Sequence, residues 1–302
     1  MRCLLAMGLS LVLAQAAVSQ TPAALADVRW QPEHPRQGTF IYIIVNLNSD
    51  DARLGVGGSM AGQPLHFERD ASGAFRALAP VLVNALETIP FSLTVTRHSD
   101  SSHRVVLIPV EPAEFRSSNL SVASRFSATP DSALRARIAA ENAQSARAYR
   151  QAHNTPRMWS GEWIRPRPSR ITSEFGVRRL INGELRSRHL GVDFDGETGD
   201  PIVAANRAVV ALVGDFYYSG NVVYLDHGNG LVTIYMHMSE VDVRQDDIVE
   251  RGQQIGKVGA TGRVTGPHVH WHARYGRIAV DGLSLFELEP VEYAPATGDS
   301  GR

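Results

Sequence analysis

The 302-residue sequence predicts a mainly β protein: a small N-terminal antiparallel sandwich, a helical connector and a larger antiparallel β domain towards the C-terminus. Three observations predict this. Short β-branched and aromatic runs broken by Asp, Ser, Gly and Pro clusters extend to about Val110. An unbroken Ala- and Arg-rich run follows, and from Trp159 the texture changes to Gly-, Val- and Ile-rich runs of five to seven residues. The chain is also too long for one ordinary core and long enough for two.

The opening residues, MRCLLAMGLSLVLAQAAVS, place one Arg before an apolar run that ends in small residues, the pattern of a secretory signal peptide. Cleavage fits after Ala16 or after Ser19. A buried N-terminal helix would show a polar face, and this run shows none; a retained anchor would need roughly 20 apolar residues. The expectation is a signal peptide over 1–19 and a protein exported to the periplasm or secreted, with no integral span after its removal. Cys3 is the single cysteine. A mature chain without it has no disulfide, no thiolate nucleophile and no Cys-ligated metal, so any metal must be held by His and carboxylate.

Next come FIYIIVNLN (40–48), PLHFER (64–69), FSLTVTR (91–97) and RVVLIPV (104–110), the strands expected of a sandwich domain over 20–115. His34, His66, His98 and His103 fall here without a spacing that suggests a site, and read as surface or turn residues. Thr129-Pro130-Asp131 resembles a helix start with Thr129 as N-cap, and residues 132–151 should be helical until Asn154-Thr155-Pro156 ends the run. Its sparse apolar positions suggest an exposed strut within a connector over 116–158; a partner-binding helix is the functional alternative.

From 159 to 290 the runs PIVAA, AVVALVG, NVVYLDHG, LVTIYMHM and QIGKVG predict a β domain, with residues 291–302 as a flexible tail. Asn229-Gly230 between two of these runs is a hairpin signal, because both residues accept the positive φ of a tight turn. With 30 Lys+Arg against 31 Asp+Glu, the net charge of −1 gives no whole-molecule field towards nucleic acid or an anionic membrane.

Six of the eleven histidines lie between residues 189 and 272, and their spacing is more telling than their number. His268, His270 and His272 alternate; on a strand they share a face at about 6.6 Å intervals, so neighbouring imidazoles can converge on one small site. In His189-Leu-Gly-Val-Asp193 an extended chain would separate the two Cα atoms by roughly 13 Å, too far for shared coordination. The chain must therefore bend at Gly191, which predicts a strand start or bulge there with His189 on the loop side. By alternation His237 shares a face with Thr233 and Tyr235 near the end of a strand paired with the preceding one. Two neutral imidazoles and one carboxylate would leave a zinc ion positively charged with an open position, where water ionises near neutral pH. Further imidazoles can take that water's proton or donate to a developing oxyanion. Spacing alone does not choose between His268 and His270 as a ligand.

In order, His189-x-x-x-Asp193, Tyr-Met-His237-Met-Ser and Gly-Pro-His268-Val-His270 resemble the three signatures of the lysostaphin and LytM-like zinc metallopeptidases. Four flanking stretches are similar too: Ile171–Arg179, Arg188–Phe194, Val223–Gly228 and Val258–Pro267. The resemblance implies a β-groove fold of the duplicated hybrid motif type in which His189, Asp193 and His270 hold one zinc ion, while His237 and His268 act on the water and the transition state. It also implies a hydrolase acting on peptidoglycan stem peptides and crosslinks. Two departures are His272, where relatives often have Glu, and Val280-Asp-Gly282, where they often have Val-Asp-Pro. His272 should face the site side of its strand, as a second-layer donor, a competing ligand or an ordinary rim residue. The rival reading is a catalytically silent cell-wall-binding protein that activates a wall amidase. Such relatives typically lose a metal ligand, and this sequence keeps all of them.

Overall fold

The computed structural model describes residues 26–48, 53–97, 100–119, 131–181 and 184–294. The proposed signal peptide and His98 lie outside them. Eight strands build the N-terminal part: β1 (Ala26–Gln31), β2 (Phe40–Leu47), β3 (Leu54–Met60), β4 (Gln63–Leu65), β5 (Glu68–Arg69), β6 (Phe75–Pro80), β7 (Thr88–Arg97) and β8 (Asp100–Pro109). They pair as two four-stranded antiparallel sheets, β1-β2-β6-β5 and β4-β3-β7-β8. Alternation in β7 puts Ile89, Phe91, Leu93 and Val95 inside, and β2 supplies Phe40, Ile41, Ile43 and Val45 from the facing sheet. PLHFER does not form one strand: it splits into β4 and β5, with His66 between them.

The short β9 (Ser117–Asn119) leads to α1 (Ser132–Gln151). The cap of α1 is Asp131 rather than Thr129, which lies outside the described residues: the Asp131 side chain accepts from Leu134 N–H at 2.8 Å. α1 is mostly exposed, as expected, but one stripe of it is seated on the sheet. Its small residues Ala148 and Ala152 pack against Leu212, Phe216, Val222, Tyr224, Val232 and Ile234, and Ser145 Oγ meets the Tyr224 hydroxyl at 2.8 Å. Buried Glu141 receives Tyr217 N–H and the Arg137 guanidinium. Small and hydrogen-bonding residues give a contact stripe with no apolar signature in sequence.

The C-terminal part contains β10 (Ile171–Ser173), β11 (Arg178–Ile181), β12 (Glu184–Arg188), β13 (Val192–Asp195), β14 (Pro201–Val203), β15 (Ala208–Phe216), β16 (Gly220–Gly228) and β17 (Leu231–Met238). After these come β18 (Glu240–Val241), β19 (Ile248–Val249), β20 (Gln254–Lys257), β21 (His268–Tyr275), β22 (Ile278–Val280) and a short 3-10 turn (Gly282–Phe286). The main sheet runs β10-β13-β21-β17-β16-β15-β19, with β22 on β21, and its pairings are antiparallel. The β11–β12 hairpin stands beside it, joined by β9 in parallel. The turn between β16 and β17 has Asn229 and Gly230 at φ 49° and 85°, as their chemistry predicts.

One face of the main sheet, with Trp271, Tyr235, Phe194 and Val269, shares a continuous apolar core with the sandwich. The other carries α1 over β15–β17 and leaves the β13–β21 half to polar residues. Glu68 at the junction accepts from Arg157 Nε at 3.1 Å and Asn229 Nδ2 at 2.5 Å, while Tyr275 Oη donates to the Pro64 carbonyl. Tyr293 lies under the Arg157 guanidinium, 3.8 Å away, and bridges to Asp70, so residues 291–294 are tied to the sandwich.

Candidate metal centre

Cross-strand register brings Asp193 opposite His270 and Asp195 opposite His268. His189 sits in the loop before β13, which starts at Val192, so the chain turns where the sequence requires. Gly191 has a second, more exacting role. A Cβ there would lie 2.5 Å from His270 Nε2 and 2.6 Å from the Trp271 carbonyl oxygen, so only glycine lets the loop press against β21.

His189 Nε2, Asp193 Oδ1 and His270 Nδ1 form a triangle with edges of 3.0, 3.0 and 2.8 Å. Hydrogen bonding fixes the tautomer of His189: Nδ1 lies 2.8 Å from the Glu174 carbonyl oxygen, to which only an N–H can donate. Its Nε2 therefore points a lone pair at two other electron-rich atoms. Ligand atoms about 2.0–2.1 Å from a tetrahedral zinc ion stand about 3.3 Å apart, slightly wider than this triangle. The convergence of two ring nitrogens and one carboxylate oxygen, with the His189 proton held elsewhere, fits a divalent cation. Burial works to raise the Asp193 pKa, but the adjoining His189 and His270 outweigh it and hold the carboxyl well below the usual carboxylate range.

Two further imidazoles adjoin the triangle. His268 Nε2 is 3.7 Å from Asp193 Oδ1, and its Nδ1 donates to the Gly266 carbonyl. His237 stacks obliquely on His268, ring centroids 5.0 Å apart, and its Nδ1 donates to the Thr261 carbonyl. In the neutral form of each ring the proton therefore sits on Nδ1 and Nε2 carries the lone pair. Burial, then the neighbouring His270 and His268, push His237 down to about 3, which keeps it neutral.

His237 corrects the alternation reading. Tyr235 pairs with Trp271 on the core side, where its hydroxyl accepts from Ala205 N–H, whereas Met236 pairs with His270 on the site side. Strict alternation would bury His237 beside Tyr235, away from His270. Instead the β16–β17 register slips between Asn221 and Val223, and His237 takes φ 65°, a left-handed value uncommon outside glycine. This bulge turns the imidazole onto the site face, a local irregularity of the kind that concentrates at functional sites.

The structure brings together all five residues singled out from sequence. His272 shares their face, opposite Ile234, but stands aside from the triangle: its ring is 6.0 Å from that of His270 and its Nε2 3.5 Å from Arg274 Nη1. Sequence reasoning missed the anchoring groups, the carbonyls of Glu174, Gly266 and Thr261, because any residue supplies a carbonyl. It also missed Arg179, which lies in the electrostatic reach of Asp193.

Residues 187–282 match peptidase family M23. Over 103 residues the chain is 43% identical to the peptidoglycan DD-endopeptidase ShyA of Vibrio cholerae, covering 34% of this chain and 24% of that protein. Over 117 residues it is 37% identical to the DD-carboxypeptidase/endopeptidase Mpg of Neisseria meningitidis, covering 39% and 27%. The chain thus spans about a quarter of the length of these curated relatives. A Pseudomonas aeruginosa crystal structure assigned to peptidase M23 superposes with a TM-score of 0.64 at 25% identity, over 83% of this chain and 95% of that one. The resemblance read from His189, Asp193, His237, His268 and His270 and the architecture around them agree, and the chain carries a peptidase family M23 domain.

Proposed function

We propose that the protein is a zinc-dependent endopeptidase that hydrolyses peptide crosslinks of bacterial peptidoglycan outside the cytoplasm. The observation that carries the reading is the meeting of His189 Nε2, Asp193 Oδ1 and His270 Nδ1 within 3.0 Å, flanked by two imidazoles with anchored Nδ1 atoms. His189, Asp193 and His270 would hold the ion, which when bound supplies Lewis acidity towards water and the peptide carbonyl. His237 and His268 do the proton work. Their Nε2 lone pairs accept the proton of the attacking water, and the resulting imidazolium donates to the oxyanion and then to the departing amine. The Thr261 and Gly266 carbonyl contacts keep each ring from turning its protonated edge inwards.

The substrate class rests on ShyA, named a peptidoglycan DD-endopeptidase, with Mpg, named a DD-carboxypeptidase/endopeptidase, beside it. Export rests on the N-terminal sequence, and among the described residues no helix is long and apolar enough to cross a membrane. The test is digestion of purified sacculi, with the new amino terminus identified by mass spectrometry and zinc content measured on the same sample. Cleavage that stops with a chelator and returns with zinc is expected. Zinc retained without cleavage would favour the amidase-activator role instead.

A further inference from the structure

The bulge that turns His237 onto the site face is held from outside its own strand. Between the Asn221–Met238 and Val223–Tyr235 pairs, β17 carries two residues, Met236 and His237, against the single Val222 of β16. The extra residue leaves backbone groups that the ladder does not serve, and two neighbouring segments serve them. In the turn before β16, the Ser219 carbonyl accepts His237 N–H at 2.9 Å; in the loop before β21, Thr261 N–H donates to the His237 carbonyl at 3.4 Å. The Met238 carbonyl accepts from Asn221 Nδ2 at 3.0 Å and from the Thr261 hydroxyl at 2.9 Å. That hydroxyl accepts in turn from Asn221 N–H at 2.9 Å.

Thr261 thus grips the bulge with its N–H on the His237 carbonyl, its hydroxyl between Asn221 and Met238, and its carbonyl on His237 Nδ1 at 2.9 Å. The facing turn leaves room for it: a Cβ on Gly220 would collide with the Thr261 hydroxyl. The same loop reaches the second imidazole that handles protons, because His268 N–H donates to the Gly259 carbonyl at 3.3 Å. A left-handed φ at a non-glycine residue persists only where the surroundings over-determine it, and of the contacts Thr261 makes only those of the hydroxyl depend on residue identity. We propose that Thr261 is a positioning residue for His237. Its hydroxyl clasps β16 to β17 across the slipped register, which fixes the imidazole with Nδ1–H on the Thr261 carbonyl and leaves the Nε2 lone pair to the site. The hydroxyl touches no reacting atom and acts through the ring. This rests on the proton role of His237 in the endopeptidase reading and names the group that sets it.

The test compares the zinc-loaded full chain with Thr261→Val, which removes the hydroxyl at nearly constant shape, and with Thr261→Ser, which keeps it. Long-range proton–nitrogen correlation NMR of the imidazoles reports which nitrogen carries the proton, the His237 signals being identified by their absence in His237→Gln. In the unaltered protein and in Thr261→Ser, His237 is expected to show one tautomer with the proton on Nδ1. In Thr261→Val its two nitrogen shifts should draw together as the tautomers interchange. On crosslinked muropeptides Thr261→Val should lose about tenfold or more in kcat with KM and zinc content little changed, and Thr261→Ser should recover most of it. Interchanging tautomers in the unaltered protein or in Thr261→Ser overturn the proposal. So does a Thr261→Val that melts lower but keeps both tautomer and kcat, the mark of a purely structural hydroxyl. If Thr261→Val does not fold, Thr261→Ala, which puts no apolar atom in the hydroxyl's place, is read the same way. If the unaltered protein cleaves nothing, the endopeptidase reading fails by itself, and the tautomer comparison alone decides for or against Thr261.

Discussion

Each imidazole at the centre does the job its second nitrogen permits. With Nδ1 of His189, His237 and His268 donating to a carbonyl, substitution separates metal holding from proton transfer. His189→Ala should lose both zinc and hydrolysis. His237→Ala and His268→Ala should retain zinc and lose about 10²–10⁴-fold in kcat, as expected when a general acid–base group is removed. Metal analysis beside steady-state kinetics checks this, and loss of zinc in His268→Ala would reverse the roles of His268 and His270. Gly191→Ala should weaken zinc binding without touching a ligand, because the new methyl group meets His270 Nε2 and the Trp271 carbonyl; zinc titration against a competing chelator reads it. That these imidazoles and Asp193 could converge was legible in sequence because strand alternation and the Gly191 bend are local rules, whereas His270 was preferred to His268 as a ligand only through the family resemblance. His237 was legible as a participant, but its inward turn was not: positive φ at a histidine answers to the slipped β16–β17 register, a long-range property.

At the scale of elements, strands rich in β-branched residues were legible and glycine-rich ones were not. The sequence LGVGGSM forms β3 because β4 and β7 flank it and complete its hydrogen bonds, which propensity alone does not foresee. The extent of α1 was legible from its uninterrupted run, while its seat on the sheet was not, since Ala148, Ala152 and Ser145 pack by being small. Asp131 fixes its start, so Asp131→Ala should cost about 1 kcal/mol of stability, measured by denaturant unfolding. A fall well below that value would mean that the seat of Ser145 and Ala148 on Tyr224 and Leu212 holds the helix without the cap.

Across the whole molecule, the sandwich and the main sheet meet through polar contacts around a shared core, and the pair His66–His153 lies in that seam. His66 Nε2 and His153 Nδ1 are 2.9 Å apart, and Tyr275 packs edge-on to His153. Burial pushes both imidazoles down, His153 to about 4, with His66 itself adding to the effect; Glu68 opposes it at His66. In the unfolded chain they ionise near about 6.5, so between that pH and about 4 the unfolded state binds more protons than the folded one. The stabilisation from this pair is therefore complete above about pH 6.5 and lost as pH falls towards 4. The melting temperature should drop between pH 7 and pH 5, and less steeply in His153→Gln; equal slopes would remove the pair from the account. The sequence placed these histidines in different parts of the chain, and only the docked architecture joins them.

The seating of α1 on the same face as the triad gives the site a direction. Along β17 the face passes from Ile234, roofed by the helix, through Met236 to the imidazole of His237 within a few residues. A ligand laid across the strands from β13 runs free at one end and meets a barrier at the other. Its two ends are not interchangeable, and one polarity of approach is imposed before any side chain recognises a chemical group.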